Sequence, residues 1–154
     1  MQKIEITTDE FEVSFPNLAA HEEFDGTSTG KFSITMKFDK GSEGHKQLKA
    51  AADKVHNGGK YYPLKDGKGD YDDGKILCKA KSKFGVRCVG SDREDIPRTD
   101  IHHGDICRAR IAFSTWEKGS NSGTACYLQA VQKVRSGGFT GFEKVDEEDT
   151  DLPF

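Results

Sequence analysis

The sequence predicts a mainly β protein: a small five-stranded barrel with one helix and long loops. Three observations carry that expectation. Five segments of the 154-residue chain alternate apolar and polar residues at the period of a half-buried strand. One segment alone follows a helical period and ends at an Asn-Gly-Gly stop. Two long stretches, 58–74 and 85–104, are rich in Gly, Asp, Lys and Pro and follow neither period.

The first strand is expected over residues 11–18, with Phe11, Val13 and Phe15 on one face. The second spans 30–39, where Phe32, Ile34, Met36 and Phe38 alternate with Lys31, Ser33, Thr35 and Lys37. The helix follows, from residue 43 or 44 to about 56. It places Leu48, Ala51, Ala52 and Val55 on one stripe, with Ser42 as N-cap and Asn57-Gly58-Gly59 beyond its end. The third strand, 75–84, turns Ile76, Cys78, Ala80 and Phe84 one way and Lys75, Lys79, Lys81 and Lys83 the other. The fourth, 105–116, sets Cys107, Ala109, Ile111 and Phe113 opposite Ile106, Arg108, Arg110 and Trp116. The fifth, 124–134, has a mixed pattern in which Leu128 and Ala130 oppose Tyr127, Gln129 and Val131, as in a strand covered on both faces or broken by a bulge. Five strands and one helix suit an OB-fold-like barrel, although the helix follows the second strand where that fold usually places it after the third. An immunoglobulin-like sandwich needs more strands and has no use for the helix.

Length fits one domain, expected over 1–142, and an acidic C-terminal tail, 143–154. No run of about 18 apolar residues is present, so no membrane partner is expected. The first residues lack the apolar core of a signal peptide, so a cytoplasmic location is expected. Cys78, Cys88, Cys107 and Cys126 show no C-x-x-C spacing and are expected to be reduced structural thiols.

The net charge of −3 conceals a segregation. Residues 1–25 carry −6, residues 143–154 carry −5, and residues 26–142 carry +8. A basic body with acidic ends points to a polyanion-binding surface and a segment able to oppose it. Lys31, Lys37, Lys79, Lys81, Lys83, Arg108 and Arg110 all lie opposite a strand's apolar face. If their three strands are neighbours, the seven cations share one groove suited to a phosphate backbone. Trp116 falls on the face of Arg108 and Arg110, while Tyr61, Tyr62 and Tyr71 share a loop with Lys60, Lys65 and Lys68. Tyr61, Tyr62 and Trp116 are the aromatics expected to stack on unpaired bases. Phe32, Phe38 and Phe113 are expected in the core.

Enzymatic readings have less support. Asp70, Asp72 and Asp73 could hold Mg²⁺ in a metal-dependent nuclease, but no positioned base accompanies them. His102 and His103 are adjacent and point apart in an extended chain. No P-loop and no nucleophile elbow occurs. The chain is therefore read as a non-enzyme without cofactor or metal, monomeric or weakly homo-oligomeric. An RNA-binding module and a pure interaction adaptor stand as the alternatives.

The tail bears Asp146, Glu147, Glu148, Asp149 and Asp151, then Leu152-Pro153-Phe154. Its charge predicts disorder in isolation, and its apolar end with a terminal carboxylate suits a pocket rimmed by basic residues. This ending resembles the Asp-rich, Ile-Pro-Phe-terminated tail of bacterial single-stranded DNA-binding proteins. The run Gly-Asp-Ile-Cys-Arg-Ala-Arg-Ile-Ala-Phe at 104–113, with Gly-Thr-Ala-Cys-Tyr-Leu-Gln-Ala-Val-Gln-Lys-Val at 123–134, is similar to the last two strands of tailed-bacteriophage single-stranded DNA-binding proteins. Tyr-Tyr-Pro-Leu-Lys-Asp-Gly at 61–67 is similar to a loop of that group. The resemblance implies an OB-fold body that binds single-stranded DNA in replication, recombination and repair. It also implies a tail that docks partner proteins and occupies the DNA groove when DNA is absent.

Overall fold

The computed structural model describes residues 3–56, 58–68 and 73–137. Asn57, Asp70, Tyr71, Asp72 and the tail lie outside the described residues, as does the boundary expected near residue 142. The strands are β1 (Lys3–Thr7), β2 (Phe11–Asn17), β3 (Glu23–Phe24), β4 (Thr27–Ser28) and β5 (Phe32–Asp39). Helix α1 (Glu43–Val55) separates them from β6 (Leu64–Asp66), β7 (Lys75–Ser82), β8 (Arg87–Val89), β9 (Ile106–Lys118) and β10 (Asn121–Arg135).

Five of these strands close a hydrogen-bonded ring in the order β9–β2–β5–β7–β10, with β10 returning to β9. They are the five read from the sequence, and the helix follows the second of them. The ring is unevenly sewn. β9 and β10 pair along nearly their whole length and β5 and β7 over eight positions, whereas β7–β10 and β2–β9 each share only two. β1 pairs with the stretch of β9 beyond β2, β8 adds to β10 and β6 to β7.

Alternation fills the interior. Val13, Ile34, Met36, Cys78, Cys107, Ile111 and Phe113 are fully buried, and Phe11 and Phe38 meet at a ring distance of 5.5 Å. Phe32 is only partly buried against this core. The Ser42 hydroxyl caps α1 by accepting from the His45 N–H at 3.2 Å, and Leu48, Ala51, Ala52 and Val55 are buried. All four cysteines are free and buried. Burial pushes the Cys107 thiol up to about 12 and raises that of Cys126 as well. Among the described residues no helix is long and apolar enough to cross a membrane, and no cluster of metal-ligating side chains occurs.

The fifth ring strand carries the bulge that its mixed pattern allowed. Leu128 stands opposite Ile111 but Ala130 opposite Arg110, and the extra residue turns Val131 inward beside Leu128. A second bulge overturns an expectation. Between Ser14 and Asn17 the β2–β5 register slips, Phe15 adopts φ 49°, and its ring is 71% exposed instead of following Phe11 and Val13 inward.

Candidate nucleic-acid interface

The expected gathering of seven cations on three adjacent strands is corrected by the ring order. β5 and β7 are neighbours, but β9 lies between β2 and β10 and pairs with neither β5 nor β7. Arg108 and Arg110 therefore do not stand on a strand paired with β5 or β7. Arg108 donates from Nε to the Thr8 carbonyl at 3.1 Å, and Arg110 reaches Glu5 of β1 at 3.2 Å. Gln129 first, and then Lys3 and Arg110, hold the Glu5 carboxyl below its ordinary value. Lys37 is also removed from the set. It is buried at the far end of β5, in a recess shared with Asp9, Glu10, Glu12 and Asp39.

The remaining lysines do converge. The β5–β7 register puts outward Ser33 opposite Lys81 and Thr35 opposite Lys79. Lys81 is the parallel partner of Tyr127 on β10, and Tyr127 stands opposite small Ala112 on β9. One outward row thus runs from a hydroxyl through a cation to an aromatic ring. Lys81 is crowded: burial first, then Lys31 and Lys79, lower its ammonium pKa.

An open groove of about 580 Å³ lies beside this row, lined by Lys31, Lys81, Lys83, Phe84, Trp116 and Tyr127. Its origin is a mismatch in strand pairing. β10 pairs in parallel with β7 at Tyr127↔Lys81 and with β8 from Ala130↔Arg87. Five residues, 82–86, must therefore pass beside two, 128–129, and the excess loops outward. The strand ends at Ser82, whose hydroxyl accepts from the Phe84 N–H at 3.0 Å. Phe84, expected to point inward, is 79% exposed.

Of the three aromatics expected at bases, Tyr61 and Trp116 sit together. Their rings stack with centroids 5.6 Å apart and planes at 28°. The Lys60 ammonium lies 5.4 Å from the Tyr61 ring centre. Tyr62 departs from expectation. It packs against the core, edge-on to His56, and donates its hydroxyl to Asp53 at 2.6 Å.

Phe84 and Tyr127 join the groove although the sequence singled out neither as a site residue. Phe84 follows a run of alternating lysines and reads as the next inward position. Only the non-local pairing of β10 with two strands reveals the loop. A second shallow recess, lined by Lys3, Ser114, Trp116, Tyr127 and Gln129, continues the aromatic surface along β9 and β10. The arrangement offers ammonium groups for a phosphate chain and exposed ring faces for unstacked bases.

Solved structures share this fold. The single-stranded DNA-binding protein from bacteriophage Enc34 is 19% identical, with a TM-score of 0.68 over 96% of this chain and 87% of that one. The same phage protein in complex with ssDNA gives 20% identity and a TM-score of 0.67 over 86% of each chain. Gp2.5, the single-stranded DNA-binding protein encoded by bacteriophage T7, is 12% identical, with a TM-score of 0.65 over 99% of this chain and all of that one. At these identities the likeness establishes the fold. None of the curated proteins matches. The family model described as the Enterobacter phage Enc34 ssDNA-binding protein matches residues 4–151, and the chain belongs to that family.

Proposed function

We propose that this protein binds single-stranded DNA in the groove between β7 and β10, without strong sequence preference and without catalysing a reaction. The observation that carries this reading is the convergence of Lys31, Lys81 and Lys83 with Phe84, Trp116 and Tyr127 on one open surface. Lysines hold the phosphates, and rings accept any base because every base has a π-face. Family membership and the fold of the Enc34 protein solved with ssDNA support the same conclusion. A duplex keeps its bases stacked and leaves these rings unused.

In this reading the acidic segment 143–154 competes with DNA for the groove, and its Leu152-Pro153-Phe154 end recruits replication, recombination and repair proteins. The charge split, −5 in the tail against +8 in the body, supports the competition.

Trp116 is the sole tryptophan and reports on the groove directly. Titration with oligo-dT is expected to change its emission, with log K falling against log salt at a slope of about −0.7 per phosphate contact. Oligo-U and duplex DNA are run alongside. Equal affinity for duplex and oligo-dT at the same salt overturns the reading. Removal of residues 143–154 is expected to tighten DNA binding, and unchanged or weaker binding rejects self-competition by the tail.

A further inference from the structure

Glu22 stands at the edge of the lysine row and is fastened there. Its N–H donates to the Lys31 carbonyl at 2.8 Å, and its own carbonyl accepts from the Thr29 N–H at 2.9 Å and the Thr29 hydroxyl at 3.1 Å. With the backbone so held, one carboxylate oxygen takes the Lys79 ammonium. The other accepts from the Ser33 hydroxyl at 3.3 Å, and the Asn17 amide backs Ser33 at 3.4 Å. Ser33 is the cross-strand partner of Lys81. An anion is thus already placed at the row of Lys31, Lys79 and Lys81. The placement is specific: the adjacent Glu23 pairs with Ser28 in the β3–β4 hairpin and is exposed.

We propose that Glu22 is a built-in rival of the DNA phosphate at Lys79, holding that cation until a phosphate displaces the carboxylate and so setting the affinity for single strands. This rests on the single-strand reading above. A phosphate arriving at Lys79 must break an ion pair before it gains one, so Lys79 contributes less to binding than its position allows. The half-exposed pair is worth a factor of about two to five in an equilibrium constant. Burial first, and then Lys31 and Lys79, lower the Lys81 pKa, and Glu22 opposes them, in keeping with the closeness of these charges.

The test is oligo-dT titration of the full chain and its Glu22→Gln variant, which keeps the shape and removes the charge. The variant is expected to bind about two- to five-fold tighter at low salt, with a salt slope steeper by about 0.7. Glu23→Gln makes the same change in net charge away from Lys79 and is expected to change neither quantity. If both variants tighten equally, or if Glu22→Gln binds no tighter, the proposal is overturned. Should Glu22→Gln fail to fold by circular dichroism, Lys79→Ala against Lys81→Ala decides. A smaller loss for Lys79→Ala supports the rivalry, and an equal or larger loss rejects it. A wild-type protein that ignores oligo-dT removes the single-strand reading itself. A wild type that binds while Glu22→Gln leaves affinity unchanged removes only the role of Glu22.

Discussion

Gly123 stands directly opposite Trp116 in the β9–β10 ladder, and Tyr61 fills the space its missing side chain leaves. A Cβ on Gly123 would lie 2.5 Å from the Tyr61 carbonyl oxygen and 2.6 Å from the Tyr61 Cβ. Two backbone hydrogen bonds seat the tyrosine: its N–H donates to the Ser122 carbonyl at 3.2 Å, and its carbonyl accepts from the Thr124 N–H at 2.9 Å. A loop residue is thereby presented to a strand residue as a stacked pair.

Gly123→Ala is expected to expel Tyr61 from this seat. The clash is with backbone, which cannot swing aside, so the cost is about 1–3 kcal/mol of stability. The emission of Trp116 in the free protein should shift as it loses its partner ring. Oligo-dT affinity should fall by roughly three-fold or more if the pair serves as a stacking platform. Unaltered Trp116 emission in a folded Gly123→Ala variant contradicts the packing argument.

The ring order makes a separable prediction about charge. Lys31, Lys81 and Lys83 line the groove, whereas Arg110 faces Glu5 and Arg108 faces the Thr8 carbonyl. Alanine at any of the three lysines should weaken oligo-dT binding and reduce the salt slope by about 0.7. Alanine at Arg108 or Arg110 should leave the slope unaltered. Equal slopes across all five variants would mean that DNA wraps beyond the groove.

Local chemistry in the sequence was enough to place the five ring strands and the helix. The Phe32–Phe38 alternation, the Ser42 cap and the stripe Leu48-Ala51-Ala52-Val55 need only neighbours three or four residues away. The site was legible only in part, because it depends on which strands meet. Arg108 and Lys81 have the same alternating surroundings, yet the ring puts β2 on one side of β9 and β10 on the other. β1 escaped notice because Ile4 and Ile6 alone mark it, and its partner β9 lies about a hundred residues away in the chain. Phe15 and Phe84 both continue an inward pattern in the sequence. A bulge ejects the first and an over-long connection ejects the second.

Phe15 holds a left-handed backbone that L-residues other than Asn and Asp adopt at a cost of about 1–2 kcal/mol. Little burial offsets this, since the ring is mostly exposed. Its contacts include the His103 ring at 5.3 Å, an N–H donated to the His103 Nδ1 at 3.2 Å, and a carbonyl that accepts from the Asn17 amide at 3.2 Å. Phe15→Asn keeps the backbone bond and relieves the strain, so chemical denaturation should show a gain of about 1 kcal/mol. Phe15→Val, β-branched at the same φ, should lose stability. A loss with Asn would mean that the Phe15–His103 ring contact outweighs the strain.

Tyr62 and Asp53 tie the loop after α1 to the helix and give stability a dependence on pH at both ends. The Tyr62 hydroxyl first, and then the Lys49 ammonium at 3.0 Å, lower the Asp53 pKa from its ordinary 3.8. A depressed carboxyl stabilises the fold above its unfolded value, and that contribution is lost as pH falls from about 3.8 through the lowered value. Burial first, and then Asp53, raise the Tyr62 phenol above its ordinary 10.0. In the unfolded chain the phenol therefore ionises at a lower pH than in the folded one, and stability falls as pH rises past 10. Tyr62→Phe removes the hydroxyl and keeps the ring against His56. Denaturant midpoints measured from pH 2 to 11 should then fall less steeply at both extremes than in the wild type. A parallel pair of curves would show that the hydroxyl–carboxylate contact contributes nothing to either limb.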